Sequence, residues 1–455
     1  MSGGAGPLPG GTSADEAAVG TVLDSLKTFR HAYWAPLLLG FVMLFDSWDS
    51  IAIAFAMPSL SSEWQLNPLT MGVIISAGYG GQFFGAIFLG TAAERFGRLP
   101  VLNIAVATMG LLAIGCAFAP NYAILLTLRA LQGLMIGGAM PVAITYVNEL
   151  APSPTRGRYF GMFQTLAISG FAVASFLSPV IIGHLGWRWM LGLGAVPLVL
   201  LPLLWTTLPE SPRWLARIGR RDAANQALVK LGGAPIAFAS EVAAPALPQE
   251  RRARMQILFT DAFRRRTLTV TLLWFLTMFT SFGITTWLPS IYVKVYDIPV
   301  SRALTYSAFT SCFMVPTLAS IGFLIDRFGR RSTALTGMMV TAIALLALAA
   351  FQPVGEHTLV LAATIGQVGN LIGAFNVWPY TAETYPTDVR ALALGYASSI
   401  GRFSSVVTPL FIGFVLNEGA SISIVFACFG LCALAAFLIW LTRTRETAGM
   451  QLERI

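Results

Sequence analysis

The sequence predicts an all-α membrane protein of twelve transmembrane helices in two pseudo-symmetric six-helix bundles. Three observations lead there. The chain has 455 residues, of which 56% are hydrophobic and 11% charged, where a soluble domain carries about 25% charged residues. Apolar runs of about 20 residues, long enough to cross a bilayer as a helix, recur along the chain, and the short alternating segments of an outer-membrane barrel do not. Loop motifs of the first half also return in the second. GTAAERFGR at 90–98 matches GFLIDRFGR at 322–330, an offset of 232, and ELAPSPTR at 149–156 matches ETYPTDVR at 383–390, an offset of 234. PES at 209–211 is faintly echoed by RET at 445–447, an offset of 236. Two halves related in parallel place a binding site between them, near the bilayer midplane.

Taken in order, the spans fall at about 34–57, 69–91, 99–118, 121–147, 158–182, 187–208, 267–290, 303–325, 332–351, 358–381, 391–415 and 420–442. Residues 1–33 form a polar N-terminal tail, 34–208 the first bundle, 209–266 an inter-bundle loop, 267–442 the second bundle and 443–455 a C-terminal tail. One set of alternate loops holds Arg95, Arg98, Arg156, Arg158, the basic segment from Arg213 to Arg266, Arg327, Arg330, Arg331 and Arg390; the other holds Arg188, Lys294 and Arg302. The basic side is therefore expected to be cytoplasmic, with both termini inside a cell (inner) membrane. The same rule accounts for the net charge of +8 without nucleic acid. Within the inter-bundle loop, RDAANQALVKL is a helix former, and the amphipathic ERRARMQILFTDAFRRR suits anionic headgroups or a simple linker. No cleavable signal peptide is expected, since the first apolar run is full length. Cys116, Cys312, Cys428 and Cys432 lie in apolar segments with no ligand partners nearby, which reads as packing.

Four ionisable residues sit deep in spans: Asp46, Asp49, Arg129 and Arg402. Each costs about 2.5–3.5 kcal/mol to insert at a helix centre, so each is expected to face an interior cavity. Asp46 and Asp49 lie about 60° apart on one helix face and are suited to share a proton. A guanidinium in a low-dielectric cavity is a forked carboxylate receptor. Arg402 is thus expected to hold a substrate anion and Arg129 to partner the aspartates, and the spacing admits the reverse assignment. Phe45, Trp48, Tyr79 and Trp378 with Gln164, Gln367, Asn370 and Asn376 offer a mixed aromatic and amide lining that suits a planar organic acid. Trp34, Trp287 and Trp440 read as interface-belt residues, and Gly81, Gly85, Gly133, Gly137 and Gly138 as close-packing positions.

G-x-x-x-D-R-x-G-R in the repeated loops, with LRALQG at 128–133, resembles the signature of the major facilitator superfamily. PESPRWL at 209–215 looks like the end-of-half motif of its sugar-porter-like branch. DSWD at 46–49 and SIGRF at 399–403 resemble motifs of the aromatic acid/proton symporters, and LFDSWDS with ETYPTDVR is similar to bacterial niacin transporters and organic-ion transporters. The chain departs from the pattern at Glu94, where Asp is usual, at Leu99, where a basic residue is common, and at Ser47 and Trp48.

The resemblance implies a proton-coupled symporter importing a small organic anion, such as a hydroxybenzoate, driven by the proton gradient with no other cofactor. The alternatives are a carrier of nicotinate or another organic ion, and a non-transporting sensor on the same fold. It links Asp46, Asp49 and Arg129 to proton coupling. It also implies a cytoplasmic gate formed by Gly90, Glu94, Arg95, Gly97, Arg98, Glu149 and Arg156, repeated as Asp326, Arg327, Gly329, Arg330, Glu383 and Arg390. Glu94 would sit near Arg390, with Glu149 near Arg156 and Glu383 near Arg390. No nucleotide-binding loop, metal cluster or nucleophile cluster is evident, which argues against an enzyme or an ATP-driven pump. A monomer, with protons, organic acid and lipid as partners and no nucleic acid, is the expected state.

Overall fold

The computed structural model describes residues 13–26, 34–238, 255–352 and 355–447. The remaining parts of the expected tails and inter-bundle loop lie outside the described residues. Apart from a short helix α1 (Ser13–Ser25), the first half contains α2 (Trp34–Glu63), α3 (Pro68–Phe96), α4 (Arg98–Ala117), α5 (Tyr122–Leu150), α6 (Arg156–His184), α7 (Trp187–Gly192) and α8 (Pro197–Thr207). Two short helices follow, α9 (Pro212–Arg217) and α10 (Arg221–Lys230). The second half contains α11 (Arg264–Lys294), α12 (Val300–Phe328), α13 (Arg330–Ala350), α14 (Glu356–Phe375), α15 (Val377–Thr384), α16 (Thr387–Asn417) and α17 (Ile422–Arg443). Counting α7–α8 and α14–α15 as one span each, twelve helices are long and apolar enough to cross a membrane.

The spans match the apolar runs, and most are longer. Helices continue past the apolar stretch until a cap or a glycine stops them. Asn67 caps α3, its side chain accepting from Thr70 N at 2.8 Å with Pro68 behind it, and Asn121 caps α5 in the same way. Gly97 and Gly329 end α3 and α12 with φ of 104° and 86°, left-handed angles that glycine adopts without strain.

α9 and α10 mark one side of the bundle as the linker side; the spans alternate between it and the far side. Three buried apolar clusters divide the molecule along that axis. The largest draws on both halves and lies on the far side, with Trp48, Ile53, Ile75, Trp187, Phe279, Trp287 and Phe426 among its members. On the linker side the core splits in two: one cluster belongs to the first half and includes Leu23, Trp214 and Leu228, the other to the second half and includes Trp274, Tyr380 and Trp440. Polar contacts follow the same division. Ser76 Oγ donates to Val406 O at 2.7 Å, Ser175 Oγ to Ser307 O at 3.1 Å, and Ser311 Oγ to Ser175 Oγ at 2.8 Å. Gly72 packs so closely on the Pro409 carbonyl that a Cβ would collide with it. The far side is thus sealed between the halves.

The tryptophans expected at the membrane interface divide. Trp34 is exposed, whereas Trp287 and Trp440 are buried in the far-side and second-half clusters, because their helix faces turn to neighbouring helices. The glycines expected for close packing behave so at the α3–α5 contact: a Cβ on Gly81, Gly85, Gly133 or Gly137 would meet backbone of the facing helix.

Candidate functional site

A cavity of about 190 Å³ lies between the halves. Asp46, Ser47 and Ser50 reach it from α2, Gln82 from α3, Ile136, Gly137 and Met140 from α5, Ile168 and Phe171 from α6, and Arg402 from α16. Helical spacing explains the grouping. Asp46 and Ser50 are one turn apart, as are Ile136 and Met140, and Ile168 and Phe171 are three apart on one face. Asp46 is buried, and its Oδ1 has no hydrogen-bond partner in the protein. Ser50 Oγ donates to the Asp46 carbonyl at 3.0 Å. Arg402 spends one N–H on the Gln82 carbonyl at 3.4 Å, a bond that crosses from one half to the other. The cavity is therefore lined by one guanidinium, one carboxylate, two serines and one glutamine, with an apolar wall.

Asp49 faces elsewhere. The 60° between it and Asp46 is enough to turn it from the cavity toward α5 and the α7–α8 break. Its Oδ2 accepts from Gln132 Nε2 at 3.1 Å, Gln132 Oε1 accepts from Arg129 Nη1 at 2.6 Å, and Arg129 Nη2 donates to the Asp49 carbonyl at 3.1 Å. Gly194, in the turn between α7 and α8, leaves room for this carboxylate, which a Cβ there would strike. Arg129 thus reaches Asp49 through an amide and a backbone carbonyl. The two neighbouring aspartates thus have different partners: Asp46 lines the cavity with Arg402, and Asp49 lies behind it with Gln132 and Arg129.

The other expected lining residues do not line this cavity. Trp48, two residues and about 200° from Asp46, is buried in the far-side cluster and donates its indole N–H to the Met190 carbonyl at 3.0 Å. Phe45 packs edge-on against Phe41, and Tyr79 packs on Phe282 across the halves. Gln164 holds a buried amide oxygen without a protein partner. Gln367 donates to Thr285 Oγ1 at 3.0 Å, Asn370 is buried, Asn376 donates to the Ile372 carbonyl, and Trp378 stacks edge-on with Trp274 at 4.6 Å. Sequence reasoning missed Ser47, Ser50, Gln82, Met140 and Phe171 as lining residues. For Ser50 a signal was present, since it follows Asp46 by one turn.

On the linker side the expected gate residues bind within their own half. Arg98 holds Glu94 at 2.8 Å and Glu149 at 2.9 Å, and Glu94 also meets Arg217 at 2.5 Å. Arg330 holds Asp326 and Glu383, each at 3.2 Å. Glu94 is therefore paired with Arg98 and Arg217 and not with Arg390, whose Nε donates to the Tyr385 carbonyl at 3.4 Å. Glu149 pairs with Arg98 in place of Arg156, which reaches Ser153 Oγ. Glu383 pairs with Arg330 and also accepts from Thr447. Arg95 lies over Phe96, and Arg327 over Phe323 and Phe328. Gly90 needs no close approach here, since the space where a Cβ would sit is open.

The weakest sequence echo marks the closest structural match. Glu210 accepts from the backbone N–H groups of Arg98 at 3.1 Å and Leu99 at 3.2 Å, and Glu446 accepts from those of Arg330 at 2.8 Å and Arg331 at 3.0 Å. Each carboxylate sits on the N-terminus of the helix that follows the loop glycine, where the helix dipole favours an anion. Burial pushes Glu210 above its ordinary value, against the N–H groups of Ser211, Arg98 and Leu99. Among the described residues no group of three or more His, Cys, Asp or Glu could hold a metal ion.

Two repeated six-helix halves around a central polar cavity define a membrane transporter of the major facilitator superfamily. Residues 39–455 match the family described as Sugar (and other) transporter, and the chain belongs to it. It is 31% identical over 437 residues to the niacin transporter NiaP of Acinetobacter baylyi, covering 95% of this chain and 98% of that one. It is 32% identical over 416 residues to a gallate transporter of Pseudomonas putida, covering 89% and 90%. Its fold is similar to the crystal structure of a D-xylose-proton symporter, with a TM-score of 0.72 at 19% identity, covering 91% and 98%.

Proposed function

We propose that the protein is a proton-coupled symporter that imports a small aromatic carboxylate by alternating access. One observation carries this reading: Arg402 of the second half and Asp46 of the first line the same cavity between the halves. The guanidinium offers a carboxylate a forked pair of N–H donors. An anion entering beside Asp46 is repelled unless Asp46 carries a proton, so proton and anion load together. Asp49, wired to Arg129 through Gln132, is the second coupling carboxylate. The proton gradient is the energy source, and no other cofactor is required.

The basic linker side is cytoplasmic by the positive-inside rule, both termini lie inside, and the membrane is the cell (inner) membrane. The sealed far side then makes this an inward-facing state. The gate clusters exchange partners across the halves when the cytoplasmic side closes. One monomer suffices, since both repeats lie in one chain. Similarity to a niacin transporter favours nicotinate as a second reading; it too is a one-ring carboxylate.

The test is uptake of labelled 4-hydroxybenzoate and nicotinate into vesicles holding the purified protein, with the acid side outside. The expected result is accumulation that a protonophore abolishes, and loss of accumulation but not of exchange in Asp46→Asn. Equilibration indifferent to the gradient would sink proton coupling. Binding without flux would make the protein a sensor.

A further inference from the structure

Building on the reading of the cavity as an aromatic-acid site, we infer that Ser50 is a specificity-determining residue that selects ring-hydroxylated acids over unsubstituted benzoate and over pyridine carboxylates. Size comes first. An apolar cavity of about 150 Å³ admits benzene, so one of about 190 Å³ holds a single six-membered ring with small substituents. Ile136, Met140, Ile168 and Phe171 supply the apolar wall for the ring. Arg402 takes the carboxylate.

What remains is the choice of ring substituent, and among the polar lining groups Asp46, Ser47, Ser50 and Gln82, Ser50 is distinguished by a hydroxyl hydrogen already bonded within its own helix. The Ser50 hydroxyl hydrogen is committed to the Asp46 carbonyl one turn earlier, at 3.0 Å. Ser50 lines the cavity, and its oxygen is left with acceptor capacity only. A phenolic O–H is a donor and completes this group. A pyridine nitrogen is an acceptor and meets it lone pair to lone pair. Unsubstituted benzoate covers it with an apolar ring edge and leaves it unpaired, and a site built to bond a substrate hydroxyl discriminates against the analogue that lacks it. Turning the serine hydrogen toward a pyridine nitrogen breaks the bond to Asp46.

The experiment is competition against labelled uptake in vesicles by 3- and 4-hydroxybenzoate, benzoate and nicotinate. The protein should favour the better hydroxybenzoate over benzoate and nicotinate by about tenfold. Ser50→Ala should bring the ratio to within about twofold, and Ser50→Thr, which keeps the oxygen, should retain most of it. Each ratio is read within one preparation, so the amount of folded protein cancels. A ratio near one, a preference for nicotinate, or a ratio unmoved by Ser50→Ala overturns the assignment of Ser50 and leaves aromatic-acid import standing. If no aromatic acid competes, both fall.

Discussion

The two halves share a fold and a set of loop motifs, yet they contribute unequally to the cavity. Nine of its ten lining residues come from the first half, and the second half supplies Arg402 alone. Two of the amides expected at the cavity bond within the second half instead: Gln367 of α14 donates to Thr285, and Asn376, between α14 and α15, to the Ile372 carbonyl. The first half is therefore a bed, and the second brings a single charge to it. On the proposed reading of Arg402 as the anion's partner, moving one half against the other would change one strong contact with the substrate. Arg402→Lys tests this division most severely. Lysine keeps the charge and loses the fork, and KM for an aromatic carboxylate should rise by about tenfold or more. Transport with an unchanged KM would break the comparison, because the second half would then hold nothing that the anion needs.

On the linker side the halves are alike. Gly97 and Gly329 turn the chain at left-handed φ, and each faces a carboxylate, Glu210 or Glu446, that caps the next helix. Alanine at either glycine meets a strained backbone angle and drives its Cβ into that carboxylate. Gly97→Ala and Gly329→Ala should each cost about 1–3 kcal/mol, read as matched falls in thermal midpoint in detergent. A fall in one variant alone would show that the two caps are not equivalent.

Much of this was legible in the sequence. All twelve spans were, because apolar length is the strongest signal a membrane chain carries. Asp46 and Arg402 stood out because charge is expensive in hydrocarbon. The neutral lining residues did not. A helix apolar on every face gives no amphipathic stripe from which to read its rotation, so Met140 and Phe171 look the same as their lipid-facing neighbours. Trp48 was expected at the cavity because it lies beside the aspartates in sequence, but it points almost opposite to Asp46 on the helix. Gln132 lay inside a recognised motif, and only the three-dimensional contact shows that it joins Arg129 to Asp49. Glu446 lay in the faint RET echo of PES, and only the three-dimensional contact shows that it caps the helix after Gly329.

The smallest effect concerns a feature that sets the first half apart. Helix α1 buries Val19 and Leu23 in the linker-side cluster that also includes α9 and α10, and Asp15 pairs with Arg221 at 3.0 Å. At its C-terminal end Asp24 accepts from Ser153 N at 2.7 Å and from Ser153 Oγ at 2.9 Å, tying α1 to the loop between α5 and α6. The Ser153 backbone N–H holds the Asp24 carboxyl below its ordinary value. A depressed carboxylate adds stability above the ordinary pKa and loses it as the pH falls through the lowered value. Docking of α1 should therefore loosen only below the usual carboxylate range, and Asp24→Asn should dock less well at neutral pH while losing that acid dependence. Labelling of a cysteine placed at Leu23, compared across pH with and without Asp24→Asn, reads this directly. Equal labelling at every pH in both backgrounds would mean that the apolar face of α1 holds the helix by itself, and that this part of the first half owes nothing to its charge.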